Sequence, residues 1–227
     1  MLFSIKKVLN VLYNGGFGIL LIALLALFLF YPLATDNVFA RNLLLVLSYV
    51  SVYFGLKWAG YNKKLIYFLP LLGFLSIVLD HSTAYFPNQL LQLSFHFSTI
   101  IFYSISCYNI LLFVFNSSRI DTNKIFAAIC VYFLLGLIWS FIFSAIDTIF
   151  PGSFHYNQTL IQDDLSGTHF IYYSFVTITT LGYGDISPLS APARSLAVLE
   201  AFTGQLYLAI LVARLVGLHI VDSKKRY

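Results

Sequence analysis

The chain has 227 residues and a formal net charge of +4, with 59% hydrophobic and 10% charged residues. A soluble domain carries about a quarter charged residues, so this composition excludes an ordinary soluble protein and indicates an integral membrane protein. The basic residues lie in short segments between apolar runs, which is typical of membrane orientation signals and not of nucleic-acid binding.

Six apolar runs approach the length of about 20 residues that a membrane span requires. In chain order, the predicted spans cover 16–35, 38–57, 64–80, 89–116, 123–150 and 191–221. Lys6 and Lys7 precede the first run, as in a signal peptide, but the run is too long for a signal core and has no convincing cleavage site. We therefore expect a retained first span and predict an all-α integral membrane protein with six transmembrane helices.

The distribution of Lys and Arg predicts the orientation of these spans. With the amino terminus inside, the inner segments hold ten of the 13 basic residues, and the outer segments hold only Arg41 and Arg194. Because cytoplasmic loops carry the excess of Lys and Arg, we predict a multi-pass protein of the cell membrane with both termini cytoplasmic. Few residues follow the last span, so we expect no ligand-binding domain after it.

One further apolar segment, 169–180, would reach only about 18 Å as a helix and is too short to cross. Gly182 and Gly184 follow it and predict irregular backbone, which is tolerated at membrane depth only where protein buries it or it lines a pore. We therefore predict a re-entrant element between the fifth and sixth spans. The chain divides into a four-helix domain, 1–122, and a pore domain, 123–227.

The segment Thr179–Asp185 reads Thr-Thr-Leu-Gly-Tyr-Gly-Asp and has the chemistry of an ion filter. Backbone carbonyls that point toward one axis can replace the hydration shell of K⁺. Carbonyls on one side require unusual backbone conformations, and the two glycines at alternate positions tolerate them. The segment resembles the potassium-channel signature, with Leu181 where the commonest form has Val. The resemblance extends over about 123–221 and includes Tyr172–Thr177 as pore helix and Arg194–Gly204 as inner helix.

This resemblance implies a potassium channel that needs no cofactor and is not an enzyme. One filter strand cannot surround an ion, so three further copies of the chain are expected in a homotetramer. The expected partners are these copies, K⁺ and membrane lipid, without nucleic acid. The resemblance implies that backbone carbonyls and one Thr hydroxyl line the ion path, while the Tyr side chain points away from it. The expected filter residues are Thr180, Leu181, Gly182, Tyr183 and Gly184.

Other residues are expected to support the filter. Thr177 and Thr179 lie at the carboxyl end of the pore helix, whose partial negative charge would stabilise a cation in the cavity. Asp185 ends the filter, and in relatives this acid bonds an aromatic residue that matches Tyr172. A solvated mouth charge is the alternative.

The fifth and sixth spans carry further candidates. Asp147 and Arg194 either pair or are solvated end charges. Glu200, an intramembrane acid, must face protein or water, and either bonds a Thr or Tyr behind the pore helix or senses protons. Gly204 is either the hinge of the inner helix or a close-packing site against the pore helix. Helical spacing predicts that Gln205, Leu208 and Val212 line the cavity, with Val212 as an apolar gate.

The sequence leaves the gating stimulus open. The fourth span has no Arg or Lys and only His96, so we expect weak voltage dependence. His155 and His169 are either proton sensors or ordinary surface histidines. Residues 157–159 form a glycosylation sequon, and Cys107 and Cys130 suit buried structural positions.

Several other functions compete with a potassium channel. A nonselective cation channel and a non-conducting regulatory subunit are the nearest alternatives. A secondary transporter would show repeated halves with matched broken helices, and the sequence has a single re-entrant segment. An intramembrane hydrolase would need a nucleophile motif, and neither GxSxG nor HExxH is present.

Overall fold

The computed structural model describes residues 16–30, 38–58, 63–116, 121–156, 159–160 and 168–224. This part of the chain forms seven helices and three short strands. They are α1 (Gly16–Phe30), α2 (Val38–Trp58), α3 (Lys63–Tyr85), α4 (Gln89–Phe115), α5 (Thr122–Ile149), β1 (Phe154–Tyr156), β2 (Thr159–Leu160), α6 (Thr168–Ile178), β3 (Ile186–Pro188) and α7 (Ala191–Lys224). Several residues behind the orientation and glycosylation predictions lie outside the described ranges, namely Lys6, Lys7, Arg119, Asn157, Gln158, Lys225 and Arg226.

Four helices are long and apolar enough to cross a membrane, judged by length and composition. These stretches are 68–85, 89–115, 122–149 and 191–214. The described parts of α1 and α2 contribute two shorter apolar helices, Gly16–Phe30 and Asn42–Lys57. The chain is therefore a multi-pass membrane protein in which most helices lie where the apolar runs predict them.

Local side chains explain where the central helices begin. The Asn88 side chain accepts a hydrogen bond from the Leu90 N–H at 2.9 Å, and the Asp121 side chain accepts one from the Lys124 N–H at 2.8 Å. Each residue therefore satisfies one of the backbone donors left free in the first turn of α4 or α5. The short connection between these helices makes them antiparallel neighbours.

The helix α5 joins the two halves of the molecule. It packs against α1 and α4 on one side and against α6 and α7 on the other. A large apolar core is shared by α1 to α5 and includes Phe17, Phe102, Tyr103 and Leu134. A smaller core packs the end of α5 against β1, α6, β3 and the start of α7, and it contains Phe143, Phe154, Phe170, Tyr173, Ile186 and Ala193.

A three-stranded antiparallel sheet adds to the predicted all-α fold. Its strand order is β2-β1-β3, with His155 opposite Leu160 on one side and Phe154 opposite Pro188 on the other. Strands of two or three residues are too short to show an apolar alternation, so the sequence pattern does not predict them. The sheet connects the segment before α6 to the segment that follows the predicted filter.

Candidate functional site

Along the predicted filter, the backbone alternates between left-handed (positive φ) and ordinary conformations. The dihedral φ is +58° at Thr180, +62° at Gly182 and +77° at Gly184, whereas Leu181 and Tyr183 lie outside the positive-φ region. The glycines adopt this conformation freely, but it is strained for the β-branched Thr180. Alternating conformations turn successive backbone groups toward one side of the chain. A row of carbonyl ligands requires this alternation. The alternation also includes Thr180, where the sequence has no glycine to predict a positive φ.

The filter segment begins as a direct continuation of α6. The Thr180 N–H donates to the Thr177 carbonyl at 2.9 Å, and the Leu181 N–H donates to the Val176 carbonyl at 3.0 Å. These bonds satisfy carbonyls at the end of the helix, as other helix-ending turns do. The Thr179 hydroxyl donates to the Phe175 carbonyl at 2.6 Å, so this predicted cavity hydroxyl is used within its own helix. Thr177 is half-buried in the last turn of α6.

Tyr172 and Asp185 are bonded to each other at the end of the predicted filter that leads to β3. The Tyr172 hydroxyl donates to one Asp185 carboxylate oxygen at 2.7 Å, and the other oxygen accepts from the Ile186 N–H at 3.0 Å. The hydrogen bond to Asp185 and, to a smaller extent, burial raise the pKa of Tyr172 to about 12. The hydrogen bond predicted between these two residues is therefore present.

The first residue of the predicted filter, Thr180, contacts α7. The Gln205 side-chain amide donates to the Thr180 hydroxyl oxygen at 3.2 Å. Gln205 was predicted as a cavity residue, but its bond to the filter has no sequence signal, because it depends on the angle between α6 and α7. Leu208 and Val212 are exposed further along the same helix face.

Gly204 lies where α7 crosses the end of α6. A Cβ atom at this position would overlap the Ile178 backbone carbonyl oxygen and the Ile178 side chain. The same carbonyl accepts a hydrogen bond from the Tyr132 hydroxyl of α5 at 3.1 Å. The structure thus gives Gly204 the close contact with the pore helix that was one of its two interpretations. The helix α7 continues through it without a break.

Asp147 and Arg194, which the sequence left as either a pair or two solvated end charges, bind separate backbone groups. Asp147 is buried, and its carboxylate accepts a hydrogen bond from the Ser153 N–H at 3.0 Å in the turn after α5. The Arg194 side chain donates to the Pro188 carbonyl at 3.3 Å. Each charged side chain therefore binds a backbone group of the segment next to its helix, Ser153 after α5 and Pro188 of β3 before α7. Burial also excludes the alternative of a solvated Asp147.

Glu200 is fully buried between α5, α6 and α7. One of its carboxyl oxygens lies 2.5 Å from the Ser174 hydroxyl oxygen. The same hydroxyl oxygen lies 2.6 Å from the Gly136 carbonyl oxygen. The second carboxyl oxygen of Glu200 has no hydrogen-bond partner within the described residues. The expected contact behind the pore helix is present, but the partner is Ser174 and not a Thr or Tyr.

Arg214 forms a contact that the sequence pattern did not predict. Its guanidinium donates to the Phe115 carbonyl at 2.7 Å and lies 4.3 Å from the centroid of the Phe115 ring. Phe115 is the last residue of α4, so Arg214 binds a helix end that carries partial negative charge. This contact joins the far end of α7 to the four-helix half of the chain.

The remaining candidates have ordinary surroundings. The His169 ring packs on Tyr156, with ring centroids 5.8 Å apart, and Cys107 and Cys130 are buried free thiols. His155 is half-buried in β1. In the ranges that the structure describes, no group of three His, Cys, Asp or Glu residues could hold a metal ion.

Comparison with known proteins identifies the family. A family model described as "Ion channel" matches residues 90–218, which is more than half of the chain and includes α4, α5, α6 and most of α7. No curated protein and no solved structure matches the chain. This family is not a class of enzymes, and its members are membrane-embedded. With an ion-channel match that contains the alternating backbone of Thr180–Gly184, the chain belongs to the ion channel family.

Proposed function

We propose that the chain is one subunit of a potassium-selective channel in which four copies surround a central pore. The alternating φ values at Thr180, Gly182 and Gly184 are the observation that best supports this function. They occur in the segment Thr179–Asp185, whose sequence resembles the potassium-channel signature. Strained backbone conformations such as that of Thr180 occur preferentially at functional sites, which supports a functional role for this segment.

In the proposed pore, backbone carbonyls replace the water around K⁺. These ligands are the carbonyls of Thr180, Leu181, Gly182 and Tyr183, together with the Thr180 hydroxyl. One chain supplies one such strand, and closed fourfold symmetry supplies the other three. In the single chain, the side chains of Leu181 and Tyr183 are 56% and 67% exposed, which leaves them free to contact neighbouring copies.

The proposed topology has six spans. The four long helices and the shorter α1 and α2 cross the membrane, and α6 re-enters from the outer side without crossing. This places both termini in the cytoplasm of a cell-membrane protein. Residues 1–122 form the four-helix domain and 123–227 form the pore domain. Asp147 and Arg194 support the outer loops through their separate backbone contacts.

The proposed channel responds weakly to voltage. A sensor needs several charges that move through the field, each contributing about 2.3 kcal/mol per 100 mV. Helix α4 contains neither Arg nor Lys. Its His96 is buried, with one ring nitrogen 3.2 Å from the Ser144 hydroxyl. Steep opening over a narrow voltage range in planar bilayers would contradict this part of the proposal.

A nonselective cation channel is the second candidate, and one contact favours it. Gln205 donates to the Thr180 hydroxyl oxygen, which would otherwise be free to ligate K⁺ at the innermost site. A weakened inner site would lower the preference for K⁺ over Na⁺. Selectivity must therefore be measured together with conduction.

The direct test is ion flux in reconstituted liposomes. Vesicles loaded with K⁺ and placed in Na⁺ solution are expected to show ionophore-driven flux that Ba²⁺ blocks. Gly182→Ala adds a Cβ at φ +62°, so it is expected to abolish this flux. Gly217→Ala is the matched control, because a Cβ at Gly217 meets no atom within 4 Å.

Each outcome of this test separates the candidates. Selective flux that is lost only in Gly182→Ala supports a conducting potassium channel. Flux without preference for K⁺ supports the nonselective channel. Absence of flux from a folded tetramer contradicts independent conduction and supports the regulatory subunit.

A further inference from the structure

The Ser174 hydroxyl is buried between the Glu200 carboxyl group and the Gly136 carbonyl group. The Ser174 oxygen lies 2.6 Å from the Gly136 carbonyl oxygen and 2.5 Å from a Glu200 carboxyl oxygen. All three groups are excluded from solvent, and Glu200 has an exposed fraction of 0%. The contact joins α5, α6 and α7 at one point.

Proton counting shows that an ionised Glu200 does not fit this contact. A serine hydroxyl has one proton, whereas a peptide carbonyl and a carboxylate can only accept hydrogen bonds. If Glu200 were ionised, one of the two short contacts would bring lone pairs together without a proton between them. If Glu200 is protonated, it donates to Ser174, and Ser174 donates to Gly136. Each of the two contacts then has one proton between its oxygen atoms.

Among the residues that the structure describes, none supplies a positive charge to Glu200. The titratable groups that interact electrostatically with it from the packed helices are Tyr132 of α5 and Tyr173 of α6. Neither can become a cation, and no described Lys or Arg acts on Glu200. An unpaired carboxylate in such a site is strongly disfavoured.

We propose that Glu200 is held as a neutral carboxylic acid whose proton bonds the inner helix α7 to the pore helix α6 through Ser174. The site is thus a proton-binding site behind the filter. Release of the proton would leave an unpaired charge and would weaken the contact between the two helices.

The location of this site connects it to the filter. Glu200 precedes Gly204 by one helical turn, and Gly204 packs on Ile178 at the end of α6. The filter begins two residues later at Thr180, which Gln205 of α7 also contacts. A weaker contact at Glu200 is therefore expected to loosen the base of the filter and to reduce K⁺ flux at alkaline pH. This second part rests on the proposed function, whereas the protonation of Glu200 does not.

Infrared spectroscopy of the reconstituted full chain tests the protonation directly. At neutral pH we expect a carboxylic acid C=O band that is absent in Glu200→Gln. Asp121→Asn is the control, because Asp121 is an exposed helix-capping residue whose loss should leave the band unchanged. Ser174→Ala should shift the band, since the acid loses its acceptor. Identical carboxylic acid bands in the wild type and Glu200→Gln would overturn the proposal.

Flux measurements test the coupling to the filter. Wild-type flux is expected to fall as pH rises, whereas Glu200→Gln should keep its flux, because an amide also donates to Ser174. Equal alkaline loss in both proteins would refute the coupling. If neither protein conducts, the proposed function fails, while the infrared result still decides the protonation state.

Discussion

At the scale of single residues, side chains from two helices hold the two ends of the filter segment. Tyr172 of α6 bonds Asp185 at the outer end, and Gln205 of α7 bonds Thr180 at the inner end. The strained φ of Thr180 persists because surrounding bonds determine it. Individual polar contacts are therefore expected to have large effects on filter stability.

Removal of the outer bond is the residue-scale prediction. Tyr172→Phe retains the ring but loses the donor to Asp185, a hydrogen bond to a charged group that contributes about 1.5 kcal/mol at a partly exposed site. We expect K⁺ flux to decline about tenfold faster during sustained conduction. Time-resolved flux or single-channel recording would measure this decline.

Tyr108→Phe is the control for this substitution, since Tyr108 is an exposed residue of α4 far along the chain from the filter. The K⁺ flux of Tyr108→Phe should decline at the wild-type rate. A Tyr172→Phe variant with wild-type kinetics would show that the bond to Asp185 does not stabilise the filter.

At the scale of helices, α7 is positioned by contacts at two levels. Near the filter, Gly204 allows it to approach the end of α6, and the Tyr207 hydroxyl donates to the Ala128 carbonyl of α5 at 2.6 Å. Near its far end, Arg214 binds the last carbonyl of α4. The four-helix half of the chain therefore contacts the inner helix directly.

Substitution of Gly204 by alanine tests the contact between α7 and the end of α6. Gly204→Ala would push the new Cβ against the backbone carbonyl of Ile178, which cannot move without displacing the filter. Overpacking of this kind costs about 1–3 kcal/mol. We expect lower thermal stability and reduced flux, measured by thermal unfolding in detergent and by the liposome assay.

The matched substitution Gly217→Ala has open space and should be neutral or slightly stabilising, because alanine favours a helix interior by about 0.5–1 kcal/mol. If both alanine variants behaved alike, the contact of Gly204 with α6 would not constrain the pore.

At the scale of the whole molecule, a single chain leaves much of α7 uncovered. Its exposed apolar residues include Val198, Leu199, Phe202 and Leu206, which lie on the side opposite the contacts of Glu200 and Gly204. In lipid, close packing and not exclusion of water drives helices together. This face is the surface through which a neighbouring copy is expected to bind.

A change on this face should weaken the assembly. We expect native mass spectrometry to show four chains per particle. Phe202→Ala removes a ring that is 61% exposed in the single chain, so the tetramer should dissociate at a lower temperature than the wild-type tetramer. Phe74→Ala, which removes a 65% exposed ring from α3, is the control and should leave dissociation unchanged. A monomeric wild-type protein would contradict the fourfold pore.

The sequence alone determined the features that depend on local physics. The length of each apolar run set the extents of α4 and α5, and the tolerance of Gly182 and Gly184 for positive φ indicated the segment with alternating backbone conformations. The bond between Tyr172 and Asp185 was also predictable, because the family resemblance placed both residues. The tertiary structure decided the long-range contacts. It separated Asp147 from Arg194, gave Glu200 its partner Ser174 and brought Arg214 to the end of α4. Such contacts depend on the angles and distances at which helices cross, which the local pattern of residues does not encode.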